Sequence, residues 1–249
     1  MLAAPLVMIA DLLTRAGLAH RARRYRRRVD PDGIRWMLDV LRPGDAVVDV
    51  GAHKGGYTIW MRRAVGASGA VLAFEPQPEL ADYLRQCVRA HAWSNVTVAA
   101  CALSSAPGPR TLRLPGDSPS PAASLVGASL PPGARGYEVD VDTLDRFLAT
   151  HPQPAPLRLL KCDVEGAELE VFRGARGTLE TYRPLILVEC EARHAPSGSV
   201  HDVFAHLNGL GYRGSFFWQG ARLELQRFDP ALHQVQRRRP YVNNFIFEP

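Results

Sequence analysis

The run Ala46-Val47-Val48-Asp49-Val50 ends in a glycine-rich turn, Gly51-Ala52-His53-Lys54-Gly55-Gly56. A helix-like segment follows, and a second apolar run, Val71-Leu72-Ala73-Phe74, ends in a single carboxylate, Glu75, followed by Pro76. Few folds accommodate this order. Short unbroken apolar runs are strands buried on both faces, and parallel neighbours of that kind need a helical crossover between them. The pattern is half of a nucleotide-binding βαβ unit. Its glycines let backbone approach a ligand, and a carboxylate at the second strand's end can accept both hydroxyls of a ribose.

The turn spacing narrows the ligand. A dinucleotide pyrophosphate calls for G-x-G-x-x-G at a helix N-terminus. Here the spacing is Gly51-x-x-x-Gly55-Gly56, opened by Asp49 and holding His53 and Lys54. Asp-x-Gly-x-x-x-Gly with a strand-end Glu looks like the first motif and next acidic position of class I S-adenosylmethionine (AdoMet) methyltransferases. AdoMet carries a sulfonium and an amino-acid tail but no phosphate, so a carboxylate beside the turn makes chemical sense. A purely structural strand-to-helix turn is the competing reading, and the placement of Glu75 weighs against it.

The 249 residues suit one α/β domain with an appendage, and 46% hydrophobic content is enough for a core. The expected fold is a doubly wound, mostly parallel seven-stranded sheet with an antiparallel C-terminal edge, the class I methyltransferase type. Four cysteines, Cys87, Cys101, Cys162 and Cys190, show no metal-binding spacing and read as reduced, buried thiols of a cytoplasmic protein. The net charge of +5 is concentrated in two arginine clusters, Arg21 to Arg28 and Arg237 to Arg239. Both lysines, Lys54 and Lys161, fall inside site motifs.

Residues 1–30 form a separate N-terminal segment, and 31–249 the methyltransferase domain. Leu2, Leu6, Ile9, Leu13 and Ala16 recur at helical spacing, interrupted by Asp11 and followed by arginines. The stretch is too short to span a bilayer, and its charges follow the apolar part, the reverse of a signal peptide. It reads either as an interfacial helix making peripheral contact with the inner face of a membrane through residues 1–28, or as a helix packed on the domain or a partner. Residues 104–136 are rich in Ser, Pro and Gly and read as an insertion or lid, with a short strand at Thr111–Leu114. One helix is expected from about Ala167 to Tyr182.

A second acidic strand end, Lys161-Cys162-Asp163-Val164-Glu165-Gly166-Ala167-Glu168, follows the apolar run from Leu157. Strand C-termini line the ligand crevice of a doubly wound sheet. If the chain stays extended to 165, the two-residue period puts Lys161, Asp163 and Glu165 on one side. Methyl transfer to oxygen needs an aligned acceptor and a proton acceptor. Asp163 is the leading candidate for the base. Glu165 and Lys161 would position the acceptor or bias Asp163, and His53 is a second base candidate. The structural alternative is a helix cap at Glu165 and an Asp163–Lys161 pair.

These segments together resemble the FkbM family of AdoMet-dependent methyltransferases, over roughly residues 35–249. The resemblance rests on Asp49 to Thr58, Phe74-Glu75-Pro76, Asn95 to Val98 leading to Ala102-Leu103-Ser104, Thr143-Leu144-Asp145, Lys161 to Glu168, and Asn244 to Phe247. It implies O-methylation of hydroxyls on sugars, glycolipids, polysaccharides or natural products, with S-adenosyl-L-methionine as cofactor. It implies a cofactor site built from Asp49, Gly51, His53, Lys54, Gly55, Tyr57, Thr58, Glu75, Pro76 and Ala102. A small-molecule or glycan acceptor is the expected partner.

A nicotinamide dehydrogenase of the short-chain type needs Tyr-x-x-x-Lys, yet Leu157 and Val50 stand four residues before the two lysines. A nucleic-acid methyltransferase would favour an Asn/Asp-Pro-Pro-aromatic turn or a Pro-Cys nucleophile, and neither is present. The basic residues also sit towards the termini and not among aromatics, so no nucleic-acid partner is expected. A non-catalytic AdoMet-fold module tethered by its N-terminus stays open. So does a metal-assisted variant using Asp163, Glu165 and Glu189, although no ligand spacing requires a metal.

Overall fold

The computed structural model describes residues 3–125, 134–153, 155–194, 200–236 and 240–249. Leu2, part of residues 104–136 and the run Arg237 to Arg239 lie outside the described residues. In chain order the elements are α1 (Ala3–Arg24), a π-turn (Tyr25–Val29), α2 (Pro31–Val40), β1 (Ala46–Val50), α3 (Thr58–Val65), β2 (Ala70–Phe74), α4 (Pro78–Ala90) and β3 (Val96–Ala99). Then come β4 (Ala102–Leu103), β5 (Gly108–Leu114), β6 (Arg135–Asp142), α5 (Leu144–Thr150), β7 (Leu157–Cys162), α6 (Glu168–Arg173), α7 (Arg176–Tyr182) and β8 (Leu185–Glu189). The chain closes with α8 (Val200–Gly209), β9 (Arg213–Trp218), β10 (Ala221–Glu224), α9 (Pro230–His233) and β11 (Asn244–Glu248).

The main sheet has the order β10-β9-β11-β8-β7-β1-β2-β3. The five strands from β8 to β3 are parallel, and β11, β9 and β10 add an antiparallel edge. The expected architecture is therefore present, with eight strands where seven were expected, because β10 pairs with β9 and extends the edge. From β1 the chain steps outward through β2 to β3, then returns on the other side at β7. The switch point lies between β1 and β7, where a doubly wound sheet binds its ligand.

Alternation along the buried strands feeds two cores. Val48, Val50, Phe74, Leu160 and Val188 join α5 to α8 on one face, while Val47, Val71, Leu159 and Leu187 join α1, α2 and α3 on the other. A fully buried Phe74 alone contributes roughly 1.5–3 kcal/mol.

Two expectations are corrected and one is extended. The short strand expected at Thr111–Leu114 is the end of β5, which pairs antiparallel with β6; β6 pairs parallel with β4, and Leu112, Val139 and Val141 pack a small core of their own. The helix expected over 167–182 is two helices, broken at Gly174, where a Cβ would lie 2.0 Å from the Ser104 carbonyl oxygen. The chain is not extended to residue 165. β7 ends at Cys162, and Glu165 takes a left-handed conformation at φ 54°. The cap at this turn is Glu168, whose Oε1 accepts from Gly166 N at 2.9 Å.

Candidate active site

The C-terminal ends of five strands and the β5–β6 insertion enclose a cavity of about 180 Å³. Strand order sets its layout. Glu189 ends β8, Lys161 lies near the end of β7 with Asp163 just beyond it, the glycine turn follows β1, Glu75 follows β2, and Cys101 and Ala102 lie beyond β3. Leu112, Pro121, Ala123 and Leu125 of the insertion cover the last end.

Gly51 owes its identity to the neighbouring strand. At φ 75° its Cβ would fall 1.8 Å from the carbonyl oxygen of Asp163. The two strand ends touch here, and Asp163 N donates to Val50 O at 3.1 Å. Glu75 is almost fully buried. Its Oε2 accepts from His53 N at 2.7 Å, and its Oε1 from Gln77 N at 3.0 Å. Burial pushes its carboxyl above the ordinary range. The cavity wall therefore carries a fixed acceptor pair of the kind that ribose hydroxyls need.

Lys161 is buried at the junction of the two turns. Its Nζ lies 3.4 Å from Asp49, from Asp163 and from the Gly51 carbonyl, and 5.1 Å above the Tyr57 ring. Burial works to neutralise the ammonium, but Asp163 and Asp49 outweigh it, and its pKa rises. Glu189 behaves oppositely: burial and then the nearby Asp163 charge hold its carboxyl well above the usual range. Asn243 Nδ2 donates to it at 2.6 Å.

Of the expected site residues, Gly51, His53, Tyr57, Glu75, Pro76, Ala102, Lys161, Asp163 and Glu165 line the cavity. Asp49, Lys54, Gly55 and Thr58 do not. Asp49 is fully buried behind the turn, and its Oδ2 accepts from Thr58 Oγ1 at 2.6 Å. The pair locks β1 to α3. The Lys54 carbonyl accepts from Arg21 at 3.1 Å. The Tyr57 hydroxyl is taken up by Asp30, so Tyr57 offers the cavity its ring.

His53 Nε2 is buried without a partner, and burial, then Lys54 and Arg21, lower its pKa to about 4. An unsatisfied neutral imidazole beside the turn fits a polar ligand group at the amino-acid end of AdoMet. The buried acceptor pair at Glu75 fits the ribose end.

Tyr25, Val29 and Gln77 are among the cavity residues that were not foreseen. Tyr25, from the π-turn, packs its ring on Gly56, where a Cβ would meet the ring at 2.7 Å. It also stands edge-on to Tyr57 at 6.1 Å. Val29 lines the same wall, and nothing in the arginine-rich run marks either residue. Gln77 exchanges two hydrogen bonds with the backbone of Ser120 while its Nε2 also reaches Glu75. Its signal was its position two residues beyond the strand-end Glu75. Ser124 Oγ adds a second tie from the insertion to the Glu165 carbonyl, at 2.7 Å.

The methyltransferase FkbM domain matches residues 49–213. The chain belongs to the FkbM methyltransferase family. It is 33% identical over 193 residues to methyltransferase sdnD of Sordaria araneosa, covering 67% of this chain and 73% of that protein. It is 32% identical over 148 residues to Methyltransferase 1 of Beauveria bassiana, covering 53% of this chain and 59% of that one. The fold is similar to that of a crystallised FkbM methyltransferase from Methylobacillus flagellatus, at a TM-score of 0.52 and 16% identity, over 96% of this chain and 59% of the other. It is also similar to the O-methyltransferase TomG of Streptomyces achromogenes, solved with AdoMet, at a TM-score of 0.51 and 14% identity, over 92% and 87% of the two chains. This chain thus spans about three fifths of the length of two of these relatives. The FkbM match takes in the glycine turn, Glu75 and the Lys161–Glu168 turn, and leaves α1 and the π-turn outside.

Proposed function

We propose that this protein is an AdoMet-dependent O-methyltransferase acting on a hydroxyl of a sugar, glycolipid, polysaccharide or natural product. The observation that carries the reading is one cavity shared by both motifs. It is lined by the Glu75 acceptor pair and the His53 turn, and by Asp163 beside a buried, charged Lys161. Held by the Glu75 pair and the glycine turn, AdoMet would supply an activated methyl group to the acceptor oxygen and leave as a neutral thioether. Asp163 would take up the acceptor's hydroxyl proton. Lys161, 3.4 Å away, holds Asp163 in place, and Glu165 orients the acceptor. The likeness to TomG, an O-methyltransferase of tomaymycin synthesis, supports oxygen as the acceptor atom.

Residues 31–249 would form the catalytic domain, with 1–30 as a segment that completes its cavity. Reduced thiols fit a cytoplasmic site of action, and no described helix is long and apolar enough to cross a membrane. We also propose that α1 rests on the inner membrane face, a reading supported by its outward-facing Met8, Ile9, Leu12 and Leu13.

The test is a panel of glycans and glycolipids incubated with methyl-labelled AdoMet, with products read by mass spectrometry and AdoMet affinity by calorimetry. Label on an acceptor oxygen is expected. NAD bound with AdoMet ignored would overturn the assignment, and AdoMet bound without turnover on any acceptor would favour a non-catalytic module.

A further inference from the structure

Two more concavities lie along the N-terminal segment, outside the site described above. The first, about 280 Å³, is lined by residues that include Arg28, Val29, Phe217, Gln219, Tyr241 and Asn243. Val29 lines the transfer cavity as well. Asn243 bonds Glu189, which lies in the transfer cavity, so the two spaces share a wall. The second, about 240 Å³, is lined by His20, Arg23, Arg24, Arg27 and Arg28. Arg28 belongs to both. Two consecutive residues of the π-turn, Arg28 and Val29, thus join three concavities in a row.

We propose that this row is the acceptor site, and that the acceptor is a hydroxyl-rich molecule carrying a phosphate. The proposal rests on the O-methyl-transfer reading and adds the acceptor's chemical class. The methylated end occupies the transfer cavity. The body lies in the middle space, where the Phe217 ring offers an apolar face, and Gln219, Asn243 and Tyr241 offer hydrogen-bonding edges. That mixture suits a ring bearing hydroxyls.

The phosphate sits in the basic concavity. Among the described residues, Arg23, Arg24, Arg27 and Arg28 form no ion pair with a carboxylate, although surface arginines elsewhere do, as Arg85 does with Asp82 and Arg173 with Glu170. Arg26 is different again, stacked over Trp60 at 5.1 Å. Two carboxylates, Asp30 and Asp32, line the neighbouring middle space, but Asp30 is taken up by Gly33 and Tyr57 and Asp32 by Arg35. Like charges gathered side by side repel one another, and a bound anion relieves that repulsion. Guanidinium forks match the several oxygens of a phosphate, bidentately and with direction.

The phosphate can belong to a soluble sugar phosphate or to a lipid headgroup, and the experiment separates the two. Full-length protein loaded with AdoMet is titrated with glucose 1-phosphate, with glucose, and with vesicles of phosphatidylcholine alone or with phosphatidylserine or phosphatidylinositol. Glucose 1-phosphate is expected to bind at least tenfold more tightly than glucose, and less tightly as salt rises. Preference for phosphatidylinositol vesicles over both phosphatidylserine vesicles and glucose 1-phosphate would support the same class with a lipid-borne phosphate. Arg28→Gln should weaken the phosphorylated probe about tenfold, with AdoMet affinity and melting temperature unchanged. Gln219→Ala should weaken glucose and glucose 1-phosphate alike. Equal binding of the two sugars without preference for phosphatidylinositol, or indifference of the phosphorylated probe to Arg28→Gln, would overturn the proposal. Failure of the wild-type protein to bind AdoMet would instead overturn the methyl-transfer reading.

Discussion

Asp163 and His53 stand on the same cavity as candidate proton acceptors, and their surroundings separate them. With its pKa near 4, the His53 imidazole takes up a proton only weakly at neutral pH. Asp163 is partly exposed, and the Lys161 ammonium lies 3.4 Å from its carboxylate oxygen. A positioned general base typically contributes about 10²–10⁴-fold in rate. Asp163→Asn keeps the shape and removes the proton acceptor, so turnover should fall by about that factor while AdoMet affinity and melting temperature hold. Near-full turnover in this variant would return the role to His53 or to Glu189. At the other end, Glu75→Ala strips both acceptor oxygens from the ribose position and leaves the amide of His53 without its partner. AdoMet affinity should fall by roughly 1–3 kcal/mol in calorimetry, since buried polar groups lose their bonds. Both residues were legible as strand-end carboxylates. Tyr25 and Val29 were not, because only tertiary packing carries the π-turn to the glycine turn, and a lone aromatic among arginines gives no periodic signal.

Helix α1 shows how a pattern can be read correctly and still leave its direction open. The stripe through Ile9, Leu13 and Ala16 is apolar and helical, as the spacing predicts. The face that packs on the domain, however, is the one carrying Thr14, Leu18 and Ala22. Trp60 Nε1 donates to the Ala22 carbonyl at 2.9 Å, and Arg21 NH1 reaches the Tyr83 hydroxyl at 3.2 Å, which fixes that face inward. The stripe points outward, and Met8, Ile9, Leu12 and Leu13 are 52–69% exposed. At 100° per residue the same outer face continues into His20 and Arg23 near the end of α1. An exposed helix face that is apolar at its start and basic at its end is suited to an anionic lipid surface. Flotation with vesicles containing phosphatidylserine should therefore carry the protein, less so at high salt. The pair Leu12→Ser and Leu13→Ser should reduce flotation without lowering the melting temperature, since neither side chain is buried. Flotation unchanged by this pair would remove the helix from the membrane contact. The broken helix at Gly174 and the sheet pairing of the insertion escaped the sequence for a different reason. Each is decided by a close approach or a pairing between segments distant in the chain.

At the scale of the whole molecule, the parallel pairing of the central strands could be read before any coordinates, because buried strands and crossover helices leave little freedom, while their order could not. The electrostatics of the interior could not. Glu168 belongs to the acidic turn most typical of the family, yet it is 5% exposed, and burial raises its carboxyl to about 7. Between about pH 4.5 and 7 the folded protein therefore keeps a proton there that the unfolded chain releases. Stability falls as pH rises whenever the native state binds more protons, so this residue lowers stability progressively across that window. His53 has the opposite sign. Its pKa drops from 6.5 to about 4, so the unfolded chain binds the extra proton, and stability rises with pH between those values. The two trends partly offset each other in the wild-type curve, and the difference from a variant isolates one of them. Glu168→Gln retains an oxygen for Gly166 N but cannot ionise. Urea unfolding at a series of pH values should show the variant gaining on the wild type from pH 4.5 to 7, by on the order of 1–3 kcal/mol at the upper end. The offset should then level off above about pH 7, where Glu168 is ionised in both states. A difference that stays flat across the window would mean that Glu168 is already ionised in the folded protein, stabilised by its hydrogen bonds to Gly166 and Val164.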